Sequence, residues 1–126
     1  MVQRVRVFLA LEVVVFVVAA AAHFGVLRDE QRDLGAGIAE SVIAAVLLAG
    51  LIVAVLRPGI ARTAGTATQG FALFFTCIGF ALVLFVGPTK GLDLAFHGTM
   101  LVLLITGLAT TTVFARDGRA AIGDAV

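Results

Sequence analysis

The chain contains no tryptophan and no tyrosine, and among its 126 residues there are only one cysteine and two prolines. Without Trp or Tyr it has no amphipathic aromatic belt of the kind that marks membrane interfaces, and its ten phenylalanines supply apolar area with no polar tip. The lone thiol, Cys77, excludes an internal disulfide and any pair of metal-binding cysteines. Set in the middle of an apolar run, it reads as a buried, inert side chain. Pro58 and Pro88 both fall at the ends of apolar runs, where a missing amide hydrogen costs little. Charge is scarce as well, at 13% of residues. The basic residues are dispersed, and there is neither a glycine-rich phosphate loop nor an interleaved basic and aromatic patch, so nucleic acid is excluded as a partner.

What is present is hydrophobic, 61% of the chain. A small fold has too much surface to hide that fraction, so most of this surface is expected to face lipid. Four apolar runs stand out, at residues 5–26, 37–56, 69–87 and 92–114. Each is close to the roughly 20 residues with which a helix crosses about 30 Å of hydrocarbon. Helix is the only credible state, because an open strand edge in lipid would leave backbone groups unpaired. The expected fold is therefore all-α, a polytopic membrane protein forming a single four-transmembrane-helix bundle. Its breaks lie at LRDEQRD, RPG, GPTKG and RDG. The first run, preceded by Arg4 and Arg6 and ending in small residues, has the outline of a secretory signal. It is longer than a signal core of about 7 to 15 residues, and it is expected to remain as a helix. With the N-terminus inside, Arg4, Arg6, Arg57, Arg62, Arg116 and Arg119 lie on the inner side, opposed only by Asp117 and Asp124. The outer side then holds Arg28, Arg32 and Lys90 against Asp29, Glu30, Asp33 and Asp93. That asymmetry predicts a multi-pass protein of the cell inner membrane with both termini cytoplasmic.

Four ionisable groups fall within the runs: Glu12, His23, Glu40 and His97. Glu12 and His23 are separated by three helical turns and a residual angle of about 20°, so they share a face with ~16 Å between their levels. Glu40 and His97 lie about one turn below the outer surface on the second and fourth helices, level with His23. A carboxylate inside a membrane is costly and faces protein or a water-filled cavity, so Glu40 is expected to pair with His97 or with His23. Glu12 has no basic helix residue at its depth. Gln69 and the threonines 110–112 are its candidate neighbours, and a neutral Glu12 donating one hydrogen bond is one way to satisfy it. Small residues at four-residue intervals, including Ala36 and Ala44 on the second helix and Thr99, Gly107 and Thr111 on the fourth, read as packing positions.

The carboxylate in FLALEVVVF, alone in the first of four helices, resembles the glutamate of the small multidrug resistance exporters, which run as dimers and exchange protons for organic cations. That resemblance implies Glu12 as the proton-carrying group and a homodimer. The chain departs from the family in lacking the aromatic cage residues, which leaves only Phe faces to meet a cation, and in bringing two histidines into the bundle. A second stretch, AESVIAAVLLAGL followed by RPGIAR, is similar to the second helix and cytoplasmic exit of DoxX-like four-helix membrane proteins. It implies Glu40 as a site residue.

Taken by themselves, the residues point to binding of a small apolar or lipid-like molecule in a pocket between the helices, open toward the outer leaflet. His23 or His97 would serve there as a base and Glu40 or Glu12 as an acid. Proton-coupled transport through Glu12 is the alternative, and a polar layer that fixes helix register in a structural subunit is another. No cofactor is expected. His23 and His97 could ligate one haem at most, since both lie close to helix ends with one histidine per helix, and with Glu40 they have the ligand types for a metal, but no local spacing supports it.

Overall fold

The structure, a computed structural model, describes residues 1–27, 32–86 and 91–123, with side chains through residue 112. Its helices are α1 (Val2–His23), α2 (Leu34–Leu56), α3 (Ala61–Phe85) and α4 (Gly91–Gly123), with a 3₁₀ turn at Pro58–Ile60 before α3. All four are long and apolar enough to cross a membrane, the fourth over Gly91–Thr112. The apolar-run limits depart furthest from the helices at the start of α3 and the end of α4. α3 begins at Ala61 rather than at residue 69, and α4 continues to Gly123 rather than stopping at residue 114. Hydropathy marks where a helix can enter lipid, whereas helical backbone hydrogen bonding continues through polar sequence, where Thr68 folds its hydroxyl back onto the Ala64 carbonyl at 2.9 Å.

Local chemistry sets the turns. α1 ends at His23 because Gly25 adopts a φ of 81°, while Gly25 N and Val26 N donate to the carbonyls of Ala22 and Ala21 in a Schellman closure. α2 opens on Asp33, whose Oδ1 accepts the Ala36 amide at 3.1 Å. At the opposite end Arg6 of α1 donates to the Ala54 carbonyl at 3.0 and 3.1 Å, covering orphan acceptors in the last turn of α2.

The helices run up and down as a closed ring, α1 on α2, α2 on α3, α3 on α4 and α4 on α1, with α1 and α3 also meeting across the middle. Buried positions repeat at alternating steps of three and four. On α1 they are Val5, Leu9, Glu12, Phe16, Ala19 and His23, and on α4 His97, Met100, Leu104, Gly107 and Thr111. This is the seam of a left-handed bundle. Close approach is secured by glycine. A Cβ on Gly65 of α3 would meet Val5 of α1 at 2.7 Å, and one on Gly50 of α2 would collide with Thr68 of α3.

The distribution of polarity is inverted relative to a protein in water. Val14, Phe74 and Val102 are at least 60% exposed, while Glu12 and Gln69 are fully buried. An apolar exterior around a polar seam fits a helix bundle in lipid. Cys77 corrects an expectation, since it is exposed on the outer face of α3 rather than buried.

Candidate functional site

The seam carries two polar layers. At the outer end His23 sits between two acids: its Nδ1 is 2.8 Å from Glu40 Oε2 and its Nε2 is 3.4 Å from Asp93 Oδ1. With a carboxylate at each ring nitrogen, the geometry suits an imidazolium donating on both sides. Of the two pairings open in the sequence, Glu40 takes the one with His23. His97 reaches the same cluster by another route. Its Nδ1 donates to the backbone carbonyl of Asp93 at 2.9 Å, and its ring stacks on Phe80 with centroids 6.2 Å apart. A neutral imidazole that donates from Nδ1 carries its lone pair on Nε2, and that atom has no partner among the described residues. Nor does the second oxygen of Glu40, Oε1, which is buried.

Asp93 is the residue that sequence reasoning missed. By charge alone it belongs to the outer surface, yet it joins His23 through its side chain to His97 through its carbonyl. Its position four residues before His97, at the start of a helix, is the available signal.

A cavity of about 520 Å³ opens beside this cluster. Its polar wall includes His23, Glu40, Asp93 and His97, and its apolar wall includes Phe16, Ile43, Phe75, Leu82, Val83 and Met100. Gly79 also lines it, and a Cβ there would stand 3.2 Å from His97 Nε2, so the glycine leaves that nitrogen open. Exposed Arg32 and Asp33 also line it. A second cavity, about 430 Å³ between α1 and α2, is apolar apart from Ser41, whose hydroxyl is spent on the Gly37 carbonyl at 2.8 Å. It offers no reactive group.

The inner layer is a chain of hydrogen bonds across three helices. Gln69 Nε2 donates to Glu12 Oε1 at 2.8 Å, and the Thr111 hydroxyl faces both Gln69 Oε1 at 3.1 Å and the Gly107 carbonyl at 2.8 Å. Glu12 Oε2 has no partner among the described residues. Phe16, Ala19, Leu47, Ala72, Met100 and Leu104, all buried, occupy the levels between this layer and the outer one. Glu12 does not line the outer cavity. The structure thus brings together His23, Glu40 and His97, and leaves Glu12 apart with Gln69.

Gly107 makes the inner layer possible, because a Cβ there would collide with Glu12 Oε1 and lie 2.5 Å from Gln69 Nε2. Gly107→Ala is expected to destabilise the protein by about 1–3 kcal/mol, the usual cost of overpacking, despite alanine's better helix propensity. Thermal unfolding in detergent measures it. The loss should shrink in a Glu12→Ala background, and an equal loss there would disprove the collision as its cause.

No family model matches the chain, and no curated protein or solved structure matches it either. Among the described residues no group of three or more His, Cys, Asp or Glu side chains is placed to hold a metal ion. The fold and the two layers define a four-helix bundle of membrane-spanning character with ionisable groups sealed in its seam.

Proposed function

We propose that this protein binds a small amphipathic, lipid-like molecule in the outer cavity, with the tail against Phe75, Leu82 and Val83 and the head against Glu40 and His97. The observation that carries this reading is the coincidence of an apolar cavity with an open, unpartnered acceptor, His97 Nε2, on a lining that also holds the Glu40 and His23 pair. Where the bound head has an acidic proton, His97 Nε2 is the base that takes it, since Nδ1–H is committed to the Asp93 carbonyl. The Glu40 and His23 pair supplies fixed charge beside it. The charge asymmetry of the sequence supports cytoplasmic termini and a cavity facing the outer leaflet of the cell membrane. The similarity of the second helix to DoxX-like proteins agrees with Glu40 as a site residue. Transport through Glu12 is less favoured, because the buried apolar levels around Phe16 and Leu104 separate it from the cavity.

The absence of tryptophan provides the test. A Val83→Trp variant places one fluorophore on the cavity wall, and Val102→Trp places one on the lipid face. Amphiphiles with brominated tails, added to either variant in lipid nanodiscs, should quench Val83→Trp saturably and Val102→Trp only in proportion to their membrane content. His97→Phe should weaken the saturable component about tenfold, the equivalent of one lost hydrogen bond to a polar head. Parallel quenching at both positions would refute the binding reading.

A further inference from the structure

We infer that the head group taken by this cavity is a primary amine, so that the ligand is a lipophilic alkylammonium; this rests on the binding reading above. His97 lines the cavity, and its Nε2 is an acceptor with no partner among the described residues, while the unpartnered Glu40 Oε1 is buried beneath the same wall. The donor on this lining is the exposed guanidinium of Arg32. A carboxylate or phosphodiester head has no hydrogen to give His97 Nε2, and it would bring a negative charge beside Glu40 and Asp93. A hydroxyl head can donate to His97 Nε2 but brings no charge to an acidic lining. A primary ammonium brings both the donor and the charge.

Charge points the same way. Among the described residues the charged groups lining the cavity are Glu40, Asp93 and Asp33 on one side, and Arg32 and His23 on the other. Even with His23 counted as an imidazolium, the acids among these residues are in excess by one, and a monocation restores balance. Formal charge alone would be met equally by a quaternary ammonium, but that head has no N–H and cannot donate to His97 Nε2. The discriminating property is donor count, and it separates a primary amine from a trimethylated one of the same charge.

Four amphiphiles sharing one brominated twelve-carbon tail test this, headed by ammonium, trimethylammonium, hydroxyl and carboxylate and titrated against Val83→Trp in nanodiscs. The ammonium should saturate the quenching at an at least about tenfold lower membrane fraction than the other three, since it alone combines a donor for His97 Nε2 with the balancing charge. Glu40→Gln retains an oxygen facing His23 but removes the charge, and should bring ammonium and hydroxyl heads to within about threefold of each other. Should trimethylammonium match ammonium, or should the carboxylate bind best, the amine assignment is overturned while the cavity stands as a binding site. If none of the four quenches Val83→Trp more than Val102→Trp, the binding reading itself fails and the assignment with it. Equal preference for ammonium with and without Glu40→Gln also overturns the assignment, by removing Glu40 from the recognition.

Discussion

Gln69→Met should cost about 3 kcal/mol or more of stability, well above the cost of losing an ordinary hydrogen bond between membrane helices. The reason is asymmetry. Gln69 Nε2 is the donor to Glu12 Oε1, and Oε2 already has no partner among the described residues, so the substitution leaves both oxygens of a fully buried acid without a donor. Thr111 loses little, because its hydroxyl keeps the Gly107 carbonyl at 2.8 Å. The reverse change, Glu12→Met, strands only a neutral amide, whose cost of about 1–3 kcal/mol is smaller. Glu12→Met with Gln69→Met removes both polar groups at similar volume, and it should recover most of the stability lost by Gln69→Met alone. The measurement is a double-mutant cycle on thermal or denaturant unfolding in one detergent. Should Gln69→Met prove no worse than Glu12→Met, or should the double variant be the least stable of the set, the inner layer would not be organised around the buried acid.

That pair is largely legible in the amino-acid sequence. Short connections between four helices of bilayer length fix the depth of each residue to within about a turn, and depth alone makes Gln69 and the threonines 110–112 the neighbours of Glu12. The same argument brings His23, Glu40 and His97 to one outer layer. Depth does not give azimuth. Whether Glu40 meets His23 or His97 depends on rotation about the helix axis, which is set by packing, and the structure settles it through the 2.8 Å contact with His23.

Cys77 shows how azimuth can be read. On α3 the buried stripe is Ala61, Gly65, Gln69, Ala72 and Thr76, so residue 77 lies about 100° round the helix from that stripe and faces outward. Reading the run as uniformly apolar hides that phase. Asp93 is obscured for a different reason. Its bond to His97 is made by a backbone carbonyl, and main-chain acceptors carry no mark in a sequence. The glycines at 50, 65 and 107 are similarly opaque, because each is defined by what a Cβ would strike on another helix.

At the outer layer, His23→Phe should be as damaging as the loss of Gln69, about 3–5 kcal/mol, because the imidazole alone stands between Glu40 and Asp93. Without it Glu40, 5% exposed, loses the only partner it has among the described residues, and two acids of α2 and α4 face a site with no intervening cation. Adding Glu40→Met removes the stranded carboxylate, so the double variant His23→Phe/Glu40→Met should regain most of the lost stability. What it should not regain is binding. If the outer layer merely fixes helix register, the recovered fold keeps its saturable quenching at Val83→Trp and its preference among head groups. If the layer recognises a ligand, stability and binding separate, the fold returning while the preference for an ammonium head disappears. A double variant that is stable and still selects the amine would assign the pair to architecture, and would overturn the recognition argued from the Glu40 charge.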